Sequence, residues 1–497
     1  MYEQATILMM QGELQSAREQ FIAIIKQDPT HLGALINFAV LLADTGYNSA
    51  AKTAYLQALA HYPTELLAHV NIANLYFQER LFKEAQSHYE QVLALVAAMP
   101  EQLKMDPSII AHLAHAHQGL ALIYFEDGDQ TKADIHHANG FCLEPLREFS
   151  YPLINSTKSI LVLIGGRGGD IPWPTIVDQK YFTVDTLAVD YWSKVRQDLK
   201  SNKRYDLILN AIGDADSSKP SLLAAHRFLQ LISHSEQFAL FSAPQPSSCA
   251  ALSILNTPEA VLLTGRKTNS DRFKNLPFVK TPASIFVARS ALEGVDSIIK
   301  VLNSKVSFPV VVRSLGFQTG KHFEFADSPE ELERVARGLP GEELLVMEFL
   351  NCRDERGFFR KYRIMFINGE MFPLHLALSE HWKVHYFSAA MKNSSENRAQ
   401  EQFFLENMHE ALGDSAIKAL VAVQQTLALD YAGVDFALSP NGEVLVFEAN
   451  ATMIMALPPG DEIWNYRKKH IQVAKEAVQR MLIERANLNM PAFSLPI

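Results

Sequence analysis

Cysteine is scarce in this 497-residue chain. Cys142, Cys249 and Cys352 are odd in number and far apart, so neither a disulfide framework nor a cysteine-rich zinc site is indicated. Long apolar runs are missing too. No stretch approaches the roughly 18 residues of a membrane span, and the opening MYEQATILMMQGE has no basic segment before its short apolar run. Basic runs are also absent. With 45 Lys and Arg against 55 Asp and Glu, the net charge is −10, which argues against nucleic acid or an anionic membrane as the main partner. What is left, 48% apolar and 20% charged residues, is the composition of a soluble globular protein, and it reads as cytoplasmic. The length exceeds one ordinary core and suggests about three domains.

The first 145 residues repeat. In a 34-residue frame, Ala17, Phe21 and Pro29 recur as Ala51, Tyr55 and Pro63. Ala39, Ala73 and Ala121 share one small-residue position, and Ala85 with Tyr89 continues the third unit. After an insertion near Met99–Asp106, Ala121, Tyr124, Gly128, Ala133 and Pro145 restore the frame. Small residues let paired helices approach, aromatics fill the gap between repeats, and proline ends each unit. The pattern resembles the tetratricopeptide repeat, in about four units. That resemblance implies a concave surface for a peptide or protein partner, or a module for homo-oligomerisation. His112, His115 and His117 fall within the array without an acid or cysteine beside them, so they are expected to be repeat-surface histidines rather than metal ligands.

Beyond the repeats the period changes. SILVLIG (159–165) has the character of a buried strand and is followed by GRGGD; YFTVDTLAVDYW, YDLILNAIG, the helical LLAAHRFLQLIS and AVLLTG come next. Strands alternating with helices imply a parallel sheet. The GGRGGD loop lacks the spacing of a dinucleotide fingerprint. A loop at the carboxyl end of a first strand can face a substrate, or simply be a tight turn.

From about residue 266 the pattern changes again. FPVVVRSLGFQTGKHFEF reads as strand, glycine loop and strand, with Arg313 closing the first strand and Gly316 and Gly320 in the loop; loop N–H groups can cradle an anion there. LLVMEFL, a polar segment and a hairpin turning at Asn368-Gly369 follow. Arg360, Lys361, Arg363, His375, Lys383 and His385 gather in this block, which implies a phosphate-rich ligand or a solvated charged face. Lys383 and His385, at strand spacing beside Trp382 and Tyr386, point to a half-buried polar strand face.

The sharpest signal comes last, in YAGVDFALSPNGEVLVFEAN. Two apolar runs flank Asn441-Gly442, the dipeptide of a two-residue type I′ turn. With that turn, Leu438 pairs with Leu445 and Asp435 falls opposite Glu448; Asn450 shares a strand face with Glu448. Facing carboxylates repel, and neither strand carries Lys or Arg. A divalent cation bound to hard oxygen ligands would resolve the conflict; a solvated acidic face is the alternative.

The order of these parts resembles the ATP-grasp superfamily over roughly residues 155–485. The resemblance implies a multidomain fold: all-α tetratricopeptide-like repeats over 1–150, an α/β pre-ATP-grasp domain over 156–265, and an α+β ATP-grasp domain over 266–488. It implies ATP and two Mg²⁺ as cofactors. Arg266 and Arg313 would hold phosphate, with Arg313 standing where lysine is usual. Gly316 and Gly320 would cover the phosphates. Glu348, Phe349 and Leu350 would form the adenine hinge, with Asp354 or Glu355 on the ribose. Asp435, Glu448 and Asn450 would bind metal, and Arg363 and Lys383 would stabilise the transition state. The implied reaction is an ATP-dependent carboxylate–amine ligation through an acyl phosphate, on a small-molecule or peptide carboxylate, with the repeats recruiting a peptide or protein-linked substrate. A small-molecule ligase with oligomerising repeats, a phosphotransferase and a non-catalytic scaffold are the alternatives.

Overall fold

Alanine recurring where helices cross lets their backbones approach closely. In the computed structural model Ala17, Ala39, Ala51, Ala73 and Ala85 are fully buried. The structure describes residues 1–149, 158–166, 169–178, 181–195, 205–233, 253–303, 305–315, 321–384, 389, 391–456 and 462–486. They form two compact units: residues 1–157 with 166–168 and 183–201, and residues 158–165 with 169–182 and 202–497.

The first unit is built of helix pairs: α1 (Tyr2–Met10) with α2 (Leu14–Gln27), α3 (Leu32–Asp44) with α4 (Asn48–His61), and α5 (Leu66–Gln78) with α6 (Phe82–Ala97). The insertion forms the short α7 (Glu101–Lys104), and α8 (Pro107–Asp127) pairs with α9 (Gln130–Leu143). The aromatic of one helix is tied to an amide of another. Asn71 Nδ2 donates to the Tyr55 hydroxyl at 3.1 Å, and the Tyr89 hydroxyl donates to Asn74 Oδ1 at 2.5 Å. Gly128 ends α8 in the left-handed conformation at φ 81°, the usual role of glycine just past a helix. The histidines expected on the repeat surface are half-buried instead. His117 Nδ1 meets His136 Nδ1 at 2.9 Å, and His69 Nδ1 meets His88 Nδ1 at the same distance. In this unit β1 (Leu146–Phe149) pairs antiparallel with β3 (Phe182–Ala188).

In the second unit β2 (Lys158–Ile164), β4 (Leu207–Asn210) and β5 (Ser253–Leu255) run parallel in that order. The helix Lys219–Ser233 leaves the carboxyl end of β4. AVLLTG is not the strand: its first residues belong to the helix Pro258–Leu262, capped by the Thr257 side chain, and β5 precedes them. Proline at the first helical position and a threonine cap outweigh the apolar composition.

Two further sheets follow. The first, in order β7 (Ser284–Ala288), β10 (Glu343–Glu348), β8 (Val310–Ser314), β9 (Phe323–Ala326), is antiparallel. Both its faces are covered. Val310, Val312, Leu344 and Val346 pack on the helices Val295–Leu302 and Pro329–Arg337, while Val311, Leu345 and Met347 face Phe323, Phe325, Phe349 and Trp382. The second sheet has the order β12 (Glu370–Ser379), β11 (Phe359–Ile367), β13 (Tyr431–Leu438), β14 (Val444–Asn450), β6 (Val279–Lys280).

Its two Asn-Gly turns behave differently. Asn368 and Gly369 both have positive φ, 48° and 87°, and join β11 to β12 with Ile367 opposite Glu370, the two-residue turn expected. At Asn441-Gly442 only the glycine is left-handed, at 78°. Ser439 closes that turn: its N–H donates to Glu443 O at 2.9 Å, and its carbonyl accepts from Gly442 N at 2.9 Å. Pro440 has no N–H to donate to a ladder, so the pairing shifts out to Ser439 and the loop has three residues. Leu438 then faces Val444, not Leu445. A bulge between Asp435 and Phe436 restores the register, and Asp435 falls opposite Glu448 after all.

Candidate active site

On β11, residues two apart share a face. Lys361 and Arg363 use theirs to meet Asp435 on β13, which lies directly across from Arg363. Arg363 Nε donates to Asp435 Oδ1 at 2.6 Å and its Nη2 to Oδ2 at 2.8 Å; Lys361 Nζ stands 3.0 Å from Oδ2. Burial pushes the Asp435 carboxyl up, but Arg363 and Lys361 outweigh burial and hold it well below the usual carboxylate range. His375, opposite Arg363 on β12, is buried, and burial together with that guanidinium holds it neutral. The positive charge that Asp435 requires therefore comes from the adjacent strand.

Glu448 is served from elsewhere. Arg266, first residue of the helix Arg266–Phe273, donates through Nη2 to Glu448 Oε1 and through Nη1 to Asp216 Oδ2, the latter at 2.9 Å. Asn450 Nδ2 donates to the same Glu448 oxygen at 3.0 Å, and Asn450 Oδ1 accepts from the Thr452 N–H and hydroxyl. Burial draws the Arg266 guanidinium down, but Glu448, Asp214 and Asp216 hold it above its usual value. Arg313 feels the same acids, yet burial and the like charge of Arg266 bring it down to about 10. Arg266, Arg313, Arg363, Asp435, Glu448 and Asn450 thus gather in one region.

Other expected residues are placed apart or already engaged. Lys383 donates to Phe323 O at 2.9 Å and lies 6.0 Å from that ring, with the Arg313 guanidinium 5.8 Å from the same ring. Lys383 sits in a bend, not a strand. His385, Tyr386, Gly316, Gly320, Cys249 and the Arg167-Gly168 pair of the GGRGGD loop lie outside the described residues. At the expected hinge, the Glu348 N–H donates to Ala283 O and the Phe349 N–H to Pro309 O, so these two amides serve the fold. Leu350 is buried beside Phe349, Phe359 and Trp382. Asp354 organises a turn: it accepts from Arg356 N, Phe358 N and Arg360 Nε. Glu355 is exposed.

Two acids escaped the sequence reading. Asp214 and Asp216 follow β4, and the latter is half of the Arg266 clamp. Their signal was present, two carboxylates two residues apart just past an apolar strand, at the same sheet end as the glycine loop that was singled out instead. In the sequence Lys361 stands out only as part of a basic cluster.

The donor chemistry suits a hard divalent cation, since all three expected ligands offer oxygen. The structure distinguishes among them. The Asp435 side chain is 4% exposed with both oxygens taken by protein cations, whereas that of Glu448 is 27% exposed. Glu448 is the more accessible of the two facing acids and the one that fits a cation. The Asn450 amide oxygen is turned to Thr452 and would have to rotate to join it, and Asp435 fits Arg363 and Lys361. Among the described residues no group of three or more His, Cys, Asp and Glu is arranged for a metal.

No protein-family model and no curated protein matches the chain. Solved structures resemble its two parts. MamA is 17% identical over 28% of this chain and 74% of its own, with a TM-score of 0.24. The D-alanine-D-alanine ligase from Coxiella burnetii is 11% identical over 66% of this chain and 97% of its own, at 0.35. The L-amino acid ligase from Bacillus licheniformis is 14% identical over 65% and 75%, at 0.34. No helix among those described is long and apolar enough to cross a membrane.

Proposed function

We propose that the second unit is an ATP-grasp ligase that binds ATP with Mg²⁺ and joins a carboxylate to an amine. The observation that carries this reading is the meeting of Arg266, Arg313, Arg363 and Lys361 with Asp435, Glu448 and Asn450 at the end of one hairpin. Phosphoryl transfer needs positioning and charge neutralisation rather than a covalent nucleophile, and this cluster offers both. Bound Mg²⁺ would neutralise phosphate charge, held by Glu448, and by Asn450 once its amide oxygen turns from Thr452. Arg313 and Arg266 would face the phosphates. Asp435 would keep Arg363 and Lys361 aimed at the transferring group. The aromatic cluster of Phe323, Phe325, Phe349 and Trp382 would flank the base, with Lys383 at its edge. Residues 156–265 serve as the α/β domain and 266–488 as the ATP-grasp domain in this reading. The repeats over 1–150 recruit a peptide or protein-linked carboxylate.

A non-turning scaffold is the second reading, and one feature favours it: Asp216, Asp435 and Glu448 are each already matched by an arginine. Products decide. A ligase releases ADP and phosphate only when both acid and amine are present, a phosphotransferase leaves a phosphorylated substrate, and a scaffold yields neither. Mass spectrometry of peptide and amino-acid mixtures incubated with the protein, ATP and Mg²⁺ reads all three.

A further inference from the structure

The loop after β4 reaches the hairpin end at two places. Asp216 takes Arg266 through its side chain at 2.9 Å and through its backbone N–H at 3.2 Å, both on Oδ2. Gly213 lies against Thr452 so closely that a Cβ would stand 2.8 Å from its methyl, and Thr452 in turn hydrogen-bonds to Asn450. The loop is held in this shape locally: Asp214 Oδ1 accepts from the N–H groups of Asp216 and Ser217. Gly265, just before Arg266, is also committed, since a Cβ there would sit 2.6 Å from Asp216 Oδ1. One guanidinium, 13% exposed, is shared between an acid of this loop and Glu448, the more accessible of the two facing carboxylates of the hairpin.

A buried guanidinium stripped of its partner is strongly unfavourable. If Glu448 turns to a cation, Arg266 loses that partner, and Asp216 is the group placed to keep it matched. We infer that Asp216 is a positioning residue that holds Arg266 when Glu448 is engaged by a divalent cation, so that the β4 loop and the hairpin end respond together to nucleotide and metal. The handover rests on the nucleotide reading above; the sharing of Arg266 does not. Without Asp216, Arg266 stays on Glu448 alone and competes with the cation for it.

Two measurements on the full chain test this. In ligand-free protein, Asp216→Asn and Glu448→Gln should each lower the melting temperature modestly. Their combination leaves Arg266 without either charged partner and should fall further than the singles summed, by at least about 2–4 °C. Additive effects would overturn the sharing of Arg266. With ATP present, the Mg²⁺ concentration for half-maximal binding should rise about tenfold in Asp216→Asn, with Asp216→Glu recovering part of the shift. A variant that melts earlier but keeps the wild-type Mg²⁺ midpoint would mean that Asp216 is merely structural, and would overturn the handover. If the wild type bound no ATP while the combined variant still melted below the sum, the nucleotide reading and the handover would fall together and the shared guanidinium would stand.

Discussion

Asp435 faces Glu448 across β13 and β14, and each carboxylate is matched by an arginine from a different part of the chain. Arg363 reaches Asp435 from the neighbouring strand, and Arg266 reaches Glu448 from a helix 182 residues away in sequence. The two acids, adjacent in space, are therefore held by separate elements and should respond differently to substitution.

Asp435→Asn removes the deeper charge and leaves Arg363 with only a neutral amide. Loss of one partner of a buried pair typically costs about 3 kcal/mol or more. Because the folded carboxyl is held low, its contribution is present above the unfolded value near 3.9 and is lost as pH falls through the lower folded one. Urea unfolding should show a wide gap between wild type and variant at pH 7 that begins to narrow only below about pH 4.

Gly433 sits on β13 opposite Asn450, where an added Cβ would stand 2.6 Å from Met453 Cγ and 2.9 Å from Met365 Sδ. Gly433→Ala should destabilise the chain by about 1–3 kcal/mol through overpacking, as read by urea unfolding. It should also weaken any ligand that depends on Asn450.

The two Asn-Gly turns give a paired test. Asn368 is left-handed and Asn441 is not, so Asn368→Ala should lower stability by roughly 1 kcal/mol and Asn441→Ala should scarcely change it. Equal losses in chemical denaturation would contradict the three-residue loop.

That pair also shows what the sequence could and could not reveal. The dipeptide marks a hairpin in both places, but the turn type depends on the residue before it. Pro440 withdraws a donor, and the bulge near Asp435 then compensates, so two departures from the simple register cancelled at the one pair that mattered. The alanine and aromatic spacing of the repeats was legible because each position is fixed by helix crossing. Arg266 was legible only as a basic residue in the right region. Its partners Asp214 and Asp216 belong to a loop distant in sequence, and local patterning carries no information about such a meeting. Alternation with its neighbours makes Lys383 look like a strand residue, whereas in the bend Lys383 and Trp382 both pack against Phe323, a contact distant in sequence.

The repeats carry their own pH dependence. Burial, aided by the nearby His136, lowers His117 to about 4 in the folded chain, while the unfolded chain takes up that proton near 6.5. Protons then favour the unfolded state between these values, so the helical array should lose stability as pH drops from about 6.5 to 4 and lose no more of it from this group below. His117→Asn should flatten that slope in far-ultraviolet circular dichroism melts.

The central claim is that the hairpin end binds ATP together with Mg²⁺, and melting with nucleotide tests it most directly. For the wild type, ATP with Mg²⁺ at a hundredfold excess over its dissociation constant should add about 2.7 kcal/mol of stability, and chelating the metal should remove most of that gain. Glu448→Gln should stay folded and lose the Mg²⁺-dependent part of the gain. A wild-type protein with no metal-dependent shift at millimolar ATP, or a Glu448→Gln variant with the full wild-type shift, would contradict the account.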